Sequence, residues 1–380
     1  MTIGILGGGQ LGYMLALAGY PLGFHFRFLD PSPEAPVGRI AHRVTADYID
    51  EAALERFAHG LQVATYEFEN VPVQAARFLA ERVPVYPSTA ALEEAQDRLR
   101  EKRLFQRLGI PTTEFAEIEN VEEFDRAVAR LGLPSILKTR RMGYDGKGQS
   151  LLQTKEDVEA VRRGLPAEPL ILEKFVPFTR EVSILGVRST KGEVAFYPLI
   201  ENHHREGILR LSLAPAPDLS PELQKLAEEA ARSVLETLDY AGVLCIEFFE
   251  VDGKLLANEM APRVHNSGHW SIEGAVTSQF ENHLRAILGL PLGATDELEC
   301  SAMLNLIEEL PEPAPVLTVK NAHLHLYGKE PRPGRKVGHV TVCAETFEEL
   351  RERMKQLPAF FYRPEFCLDE VLPEKLARQA

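Results

Sequence analysis

The apolar positions change period several times along the chain. Residues 2–6 form a short continuous apolar run, and helical spacing begins near Gln10. A buried strand, a tight turn at Gly7 to Gly9 and a helix are therefore predicted. Apolar runs at 25–30 and 61–68 predict two more strands, with a helix near 71–80. This alternation is an α/β pattern built on a parallel sheet. In "VYPST" (85–89), Pro87 ends the pattern and Ser88 or Thr89 can cap the next helix. That helix is predicted over about 90–108, where Leu92, Ala95, Leu99 and Leu108 recur between charges and Gly109 and Pro111 stop it.

Further on the pattern is mixed, as in α+β domains. A helix at 121–131 leads into the strand "SILKT", and a Gly-rich loop covers 143–148. Strands are predicted near 169–175, 181–188 and 193–200, and a long helix at 220–238. "GVLCIEFFEV" and "KLLANEM" then meet at Asp252-Gly253, a strong hairpin signal. A helix at 276–288 ends at Gly289, and "GLPLG" reads as a linker to a small C-terminal unit. The resulting division is 1–88, 89–290 and 291–380.

Composition narrows the class. The 380 residues carry a formal net charge of −14, which disfavours non-specific nucleic-acid binding but leaves room for a local basic pocket. The four cysteines, Cys245, Cys300, Cys343 and Cys367, lie far apart and suggest neither a zinc site nor a disulfide framework. The N-terminus does not read as a signal peptide, and no apolar run approaches the ~20 residues of a membrane span. A cytoplasmic protein is expected.

Three stretches carry chemistry. "ILGGGQLG" fits G-x-G-x-x-G, with Asp30 closing a strand further on, as in a dinucleotide fingerprint. "RRMGYDGKGQS" offers Gly143, Gly146 and Gly148 as a phosphate nest or as a flexible hairpin tip. It has no Walker A frame, and Lys138 on the preceding strand could pair with the same phosphates. Glu247 and Glu259 lie on the two strands of the predicted hairpin, and hard oxygen ligands suit Mg²⁺. A strict two-residue turn would pair Glu247 with Asn258 and send Glu259 to the opposite face. A shared metal therefore predicts a bulge. Otherwise the two are ordinary solvated glutamates. "NEMAPRVHNSGHW" clusters Arg263, His265, Asn266, Ser267 and His269 in irregular backbone suited to anion capture and proton handling.

"GGGQLGYML", "GYDGKGQ", "NEMAPRVHNSGHW" and "RPGRKVGHV" together resemble the N5-carboxyaminoimidazole ribonucleotide synthetases of purine biosynthesis, in the ATP-grasp superfamily. The resemblance runs from the first strand to about residue 340. It implies an ATP-grasp fold with a Rossmann-like N-terminal domain and a small C-terminal domain. The N-terminal unit would then wall an acceptor site, with Gln10, Leu11 and Glu67 (or Glu69) near the ribonucleotide. Asp30 would be a strand-end cap. For ATP, the resemblance implies Arg98, Lys138 and the 143–149 loop (Gly143, Tyr144, Asp145, Gly146, Lys147, Gly148, Gln149) around the phosphates. Glu173, Lys174, Phe175 and Val176 would read adenine, Glu181 the ribose, and His204 would also touch the nucleotide. Glu247 and Glu259 match the magnesium pair, with Asn258 beside them. Many ATP-grasp enzymes place a third ligand, Asn, where this chain has Ala261.

The implied reaction consumes ATP, bicarbonate and 5-aminoimidazole ribonucleotide. Carboxyphosphate would be the intermediate. Arg263 and His265 would hold bicarbonate or carboxyphosphate. Tyr144, Asp145 and Lys147 would face the aminoimidazole, with Asn266 and Ser267 near it. Arg335 and Lys336 would grip its 5′-phosphate, although an Arg-Lys pair is more often a solvated turn. The 143–149 loop would close as a lid, and the resemblance suggests a homodimer. Three rivals remain at this stage: a formate-dependent glycinamide ribonucleotide transformylase, an NAD-dependent oxidoreductase, and a nucleotide-binding regulator without turnover.

Overall fold

A computed structural model of the protein describes residues 1–143, 148–358 and 361. The N-terminal unit contains β1 (Thr2–Leu6), α1 (Gln10–Gly19), β2 (His25–Asp30), β3 (His42–Thr45), α2 (Glu51–Ala58), β4 (Val63–Tyr66) and α3 (Val73–Ala80). Its four strands are parallel in the order β3-β2-β1-β4. The sequence pattern missed β3 and α2. β3 is a polar edge strand without an apolar run, and α2 is short and begins on an Asp50 cap.

The helix expected over 90–108 is two helices, α4 (Thr89–Ala95) and α5 (Arg98–Arg107). Asp97 breaks them apart. Its carboxylate accepts the Leu99 N–H at 3.0 Å and so starts a new helix. There follow β5 (Phe115–Ile118), α6 (Val121–Leu131), β6 (Ser135–Thr139), β7 (Gln149–Leu152), α7 (Lys155–Arg163) and β8 (Leu170–Lys174). They form an antiparallel sheet, β5-β8-β6-β7, with a core that includes Phe124, Leu137 and Leu172.

The second half contains β9 (Arg180–Arg188), β10 (Val194–Phe196), β11 (Ile200–Arg205), β12 (Ile208–Ala214), α8 (Pro221–Thr237), β13 (Gly242–Val251), β14 (Lys254–Ala261), α9 (Ser271–Gly274) and α10 (Gln279–Ile287). The chain ends through β15 (Cys300–Ile307), α11 (Pro313–Leu317), β16 (Ala322–Leu326), β17 (Lys336–Ala344) and α12 (Phe347–Met354). One sheet runs through both parts in the order β14-β13-β9-β11-β12-β15-β17-β16, with β10 on β9. The pairing of β12 with β15 carries it across the linker at 289–293. The C-terminal strands thus extend the sheet that bears the two glutamates.

Register decides which side chains share a face. Glu247 pairs with Ser183, Phe249 with Glu181, and Asn202 with Glu181. Glu247, Ser183, Glu181 and Asn202 therefore project from one side. The alternate residues Val182, Ile184, Ile246 and Phe248 join the core beneath α8. The polar face is covered by the loop that follows β14.

Candidate functional site

The β13–β14 hairpin turns at Asp252 and Gly253, both in the left-handed region with φ of 49° and 71°. This is the geometry of a two-residue hairpin turn. Val251 pairs with Lys254 and Phe248 with Ala257, but Glu247 pairs with Glu259. Asn258 is the extra residue, so the predicted bulge is present and both carboxylates lie on the polar face. Burial and the Glu259 charge push the Glu247 carboxyl up to about 7. Burial also works against ionising Glu259, but the Arg98 guanidinium outweighs it and holds the carboxyl at about 2. Arg98 Nη1 donates to Glu259 Oε2 at 2.7 Å. The buried Asn258 Oδ1 has no hydrogen-bond partner among the described residues.

Helix α5 fixes this bulge. Arg98, Glu101 and Lys102 lie on one face, three and four residues apart. Glu101 Oε1 accepts the Met260 N–H at 2.6 Å on one side of Asn258, and Lys102 Nζ donates to the Ala257 carbonyl at 3.3 Å on the other. The outer edge of β14 is thus satisfied by side chains where a strand would otherwise be needed. Glu101 and Lys102 are 2% and 1% exposed, so both side chains are buried, not solvated. Burial and the charge of Glu259 push the Glu101 carboxyl up to about 8.

Lys138, on β6, is also buried and donates to Glu173 Oε2 at 2.8 Å. Lys102 Nζ lies 3.7 Å from the same oxygen. Burial opposes ionisation of Glu173, but the two ammonium groups overcome it and hold the carboxyl at about 2. The Glu173 carboxylate therefore aims Lys138 through Oε2. In the adjoining backbone, Lys174 N–H donates to the Glu114 carbonyl at 2.9 Å and Phe175 N–H to the Pro134 carbonyl at 3.2 Å. Val176 O accepts Phe178 N–H at 3.0 Å. Glu181 Oε2 lies 2.5 Å from His204 Nδ1. Burial pulls the His204 pKa down, but this bond more than offsets it, leaving the imidazole easier to protonate than usual.

The glycine loop has its own anions. Gly9 and Gly12 N–H both donate to Glu67, the latter at 2.7 Å, and Gly8 N–H donates to Asp30 Oδ2 at 2.7 Å. A Cβ on Gly9 would fall 2.5 Å from Glu67 Oε1, so the close approach needs glycine. Two carboxylates occupy amides that a dinucleotide pyrophosphate would need, and this weighs against the oxidoreductase reading. Asp30 also accepts the Ser32 N–H at 2.7 Å, as a strand-end cap does. Lys329 reaches across from the C-terminal strands to Gln10 Oε1, and Leu11 is buried in the adjoining core.

The loop after β14 lies over the polar face. Arg263 is paired with Glu69. His265 Nε2 lies 3.2 Å from Glu247 Oε1, and burial, with Arg263 and Lys336 adding, keeps the imidazole neutral well below its usual pKa. Ser267 is fully buried beneath His265, its Oγ 2.9 Å from Nδ1. The Asn266 and Asn305 side-chain amides exchange hydrogen bonds of 3.0 and 2.8 Å. Lys336 begins β17 and lies close enough to affect Glu247, His204 and His265 electrostatically. Arg335 turns its guanidinium to the Glu330 carbonyl at 3.1 Å. Gly143, Gly148 and Gln149 flank the glycine-rich loop proposed for phosphate; Tyr144, Asp145, Gly146 and Lys147 lie outside the described residues.

Glu101, Lys102, Asn305 and Lys329 were missed in the sequence. "RLREKR" alternates charges as a solvated helix face does, and only the i, i+3, i+4 spacing of Arg98, Glu101 and Lys102 hinted at a common target. Asn305 and Lys329 carried no local signal.

Three family models match in succession. They are the ribonucleotide synthetase preATP-grasp domain over residues 1–96, the ATP-grasp domain over 103–280, and the phosphoribosylaminoimidazole carboxylase C-terminal domain over 301–353. The N5-carboxyaminoimidazole ribonucleotide synthase of Pseudomonas aeruginosa is 52% identical over 359 residues, spanning 94% of this chain and 99% of that protein. The crystal structure of N5-carboxyaminoimidazole ribonucleotide synthetase from Thermus thermophilus superposes with a TM-score of 0.90 at 58% identity, covering 98% of both chains. The Aspergillus clavatus N5-carboxyaminoimidazole synthase, solved with ADP and 5-aminoimidazole ribonucleotide, gives a TM-score of 0.87 at 33% identity over 95% of this chain and 98% of that one. The chain therefore belongs to the N5-carboxyaminoimidazole ribonucleotide synthase family of ATP-grasp ligases.

Proposed function

We propose that the chain uses ATP to join bicarbonate to the exocyclic amine of 5-aminoimidazole ribonucleotide, giving N5-carboxyaminoimidazole ribonucleotide, ADP and phosphate. The observation that carries this reading is the bulge at Asn258. It sets Glu247 against Glu259 on the face beneath the Arg263–Ser267 loop. Two carboxylates alone make an incomplete cage. That fits Mg²⁺, which takes one or two carboxylates and draws its other ligands from phosphates and water. The unpartnered Asn258 Oδ1 beside the pair fits the same ion. Glu247 and Glu259 would hold Mg²⁺, which when bound draws charge from the phosphoryl oxygens.

The chain's own residues supply positioning and charge. Lys138, aimed by Glu173, and Arg98 neutralise the transferring phosphoryl group. Bicarbonate attacks the γ-phosphorus, and ADP leaves. Arg263 and His265 hold the carboxyphosphate so formed. Asn266 and Ser267 keep their loop in place, and the amine then takes the carboxyl carbon as phosphate departs. Lys336, with Arg335, Gln10, Leu11 and Glu67, supports the ribonucleotide from the C- and N-terminal sides. Lys174, Phe175, Val176, Glu181 and His204 face the nucleoside, and the family resemblance assigns Tyr144, Asp145 and Lys147 to the aminoimidazole. Excluding water matters because carboxyphosphate hydrolyses readily. We read the working form as a cytoplasmic homodimer, from the family resemblance.

ADP release tests this directly. Full activity should require both 5-aminoimidazole ribonucleotide and bicarbonate. Equal release with formate and glycinamide ribonucleotide would favour the transformylase reading.

A further inference from the structure

The backbone of His265 is extended, with φ −121° and ψ 153°, yet it lies in the loop between β14 and α9 and belongs to no ladder. An extended residue turns its N–H and C=O to one side, as a strand does toward its neighbour. The Gln279 side chain takes the neighbour's place. Its Oε1 accepts the His265 N–H at 2.8 Å, and its Nε2 donates to the His265 carbonyl at 2.7 Å. A primary amide repeats the donor and acceptor of a peptide group, so Gln279 pairs with His265 as one residue of an adjoining strand would.

The sense of this pair is fixed. A backbone N–H only donates and a backbone carbonyl only accepts. Turning the Gln279 amide over would set donor against donor and acceptor against acceptor. Gln279 is fully buried, so bulk water does not compete for either bond. Its main chain reaches the same loop: the Gln279 N–H donates to Ser271 Oγ at 3.0 Å, and Ser271 Oγ donates to the Gly268 carbonyl at 2.7 Å. The fit is close, since a Cβ on Gly268 would fall 2.7 Å from Gln279 Oε1. Gln279 opens α10, seven of whose nine residues are buried, so the clamp stands on a rigid element.

We propose that Gln279 is a positioning residue for the carboxylation: by pairing with both backbone groups of His265, it sets the place at which His265 meets bicarbonate or carboxyphosphate. Gln279 touches no reacting atom itself. The identity of the anion rests on the carboxylation reading above; the clamp does not.

Two measurements separate the clamp from the reaction. The ligand-free full-length chain, Gln279→Met and Gln279→Glu are first compared by amide hydrogen exchange. Methionine keeps the length of the side chain and removes both bonds. Glutamate keeps the oxygen that accepts the His265 N–H but sets a second oxygen against the His265 carbonyl. In Gln279→Met the His265 amide should exchange at least about tenfold faster while the amides of β13 keep their protection. Unchanged His265 exchange in folded Gln279→Met would overturn the clamp, whatever the reaction. ADP release is then followed against each substrate. KM for bicarbonate should rise roughly tenfold in both variants. KM for ATP should stay unchanged, because Lys138, Lys174, Glu181 and His204 sit on β6, β8, β9 and β11. A loss of folded enzyme alone would lower kcat and leave both KM values as they were. An unchanged KM for bicarbonate in either folded variant would overturn the positioning role. Wild type that releases no ADP with bicarbonate and 5-aminoimidazole ribonucleotide would sink the carboxylation reading, and with it the role toward bicarbonate, while the exchange comparison still judges the clamp.

Discussion

At the scale of single residues, Glu173 shows how far a side chain's role depends on its neighbours. The family resemblance assigns the segment around it to reading adenine. Its own carboxylate, 2% exposed, is the counterion of Lys138 and Lys102. Glu173→Gln leaves two buried ammonium groups without an anion. It should cost about 3–5 kcal/mol in urea unfolding at pH 7. The folded carboxyl sits at about 2 against an ordinary 4.5, so its stabilisation is present above pH 4.5 and lost as pH falls toward 2. The unfolding gap between wild type and Glu173→Gln should narrow across that window. A constant gap would mean that Glu173 is not ionised in the folded chain. Lys138 was singled out in the sequence because it precedes a glycine-rich loop, and Arg98 through the family resemblance. Lys102 and Glu101 were not, because a helix of alternating charges looks the same whether water or a strand edge receives it.

The bulge at Asn258 is the element on which the metal reading turns, and it could be inferred before any coordinates. Asp252-Gly253 set the turn, the turn set the register, and only an irregularity could bring the glutamates together. What holds the bulge could not be inferred, since α5 approaches β14 through tertiary packing. Glu101→Leu should leave the Met260 N–H unpaired and cost about 1–3 kcal/mol. Glu101→Gln retains an acceptor and should recover most of that loss in the same thermal unfolding series. Equal losses in both would show that the bond to Met260 is not what β14 needs. Elements lacking an apolar signature were missed for a related reason. The β11–β12 hairpin turns at Glu206-Gly207 inside the polar stretch "ENHHREG", and α7 announces itself only by its Thr154–Asp157 capping box.

Over the whole molecule, a buried histidine helps join the N-terminal unit to the large sheet. His283 on α10 accepts the Val243 N–H at Nδ1 (3.1 Å), and its Nε2 lies 3.0 Å from Thr65 Oγ1 on the adjacent unit. Gly242 has φ 120°, and a Cβ there would lie 2.9 Å from this ring, so the joint admits glycine alone. Burial lowers the His283 pKa to about 3 from 6.5. The unfolded chain therefore binds the extra proton first, and the stability that His283 contributes is complete above pH 6.5 and lost as pH falls toward 3. The unfolding free energy of wild type relative to His283→Gln should drop by about 2 kcal/mol between pH 7 and pH 5. A pH-independent difference would mean that the ring is already charged at the joint. The α/β beginning and the mixed remainder were readable from periodicity. The continuity of one sheet from β14 to β16 was not, because it depends on the pairing of β12 with β15, nearly ninety residues apart in sequence.

Manganese binding most directly probes the paired carboxylates. Mn²⁺ can replace Mg²⁺ and is followed by electron paramagnetic resonance in the presence of a non-hydrolysable ATP analogue. Wild type should take up one Mn²⁺ per chain only when the analogue is present. Glu247→Gln with Glu259→Gln should weaken that uptake at least about 100-fold while the variant stays folded. Undiminished Mn²⁺ uptake by the folded double variant would contradict the central claim, since the ion would then be held elsewhere.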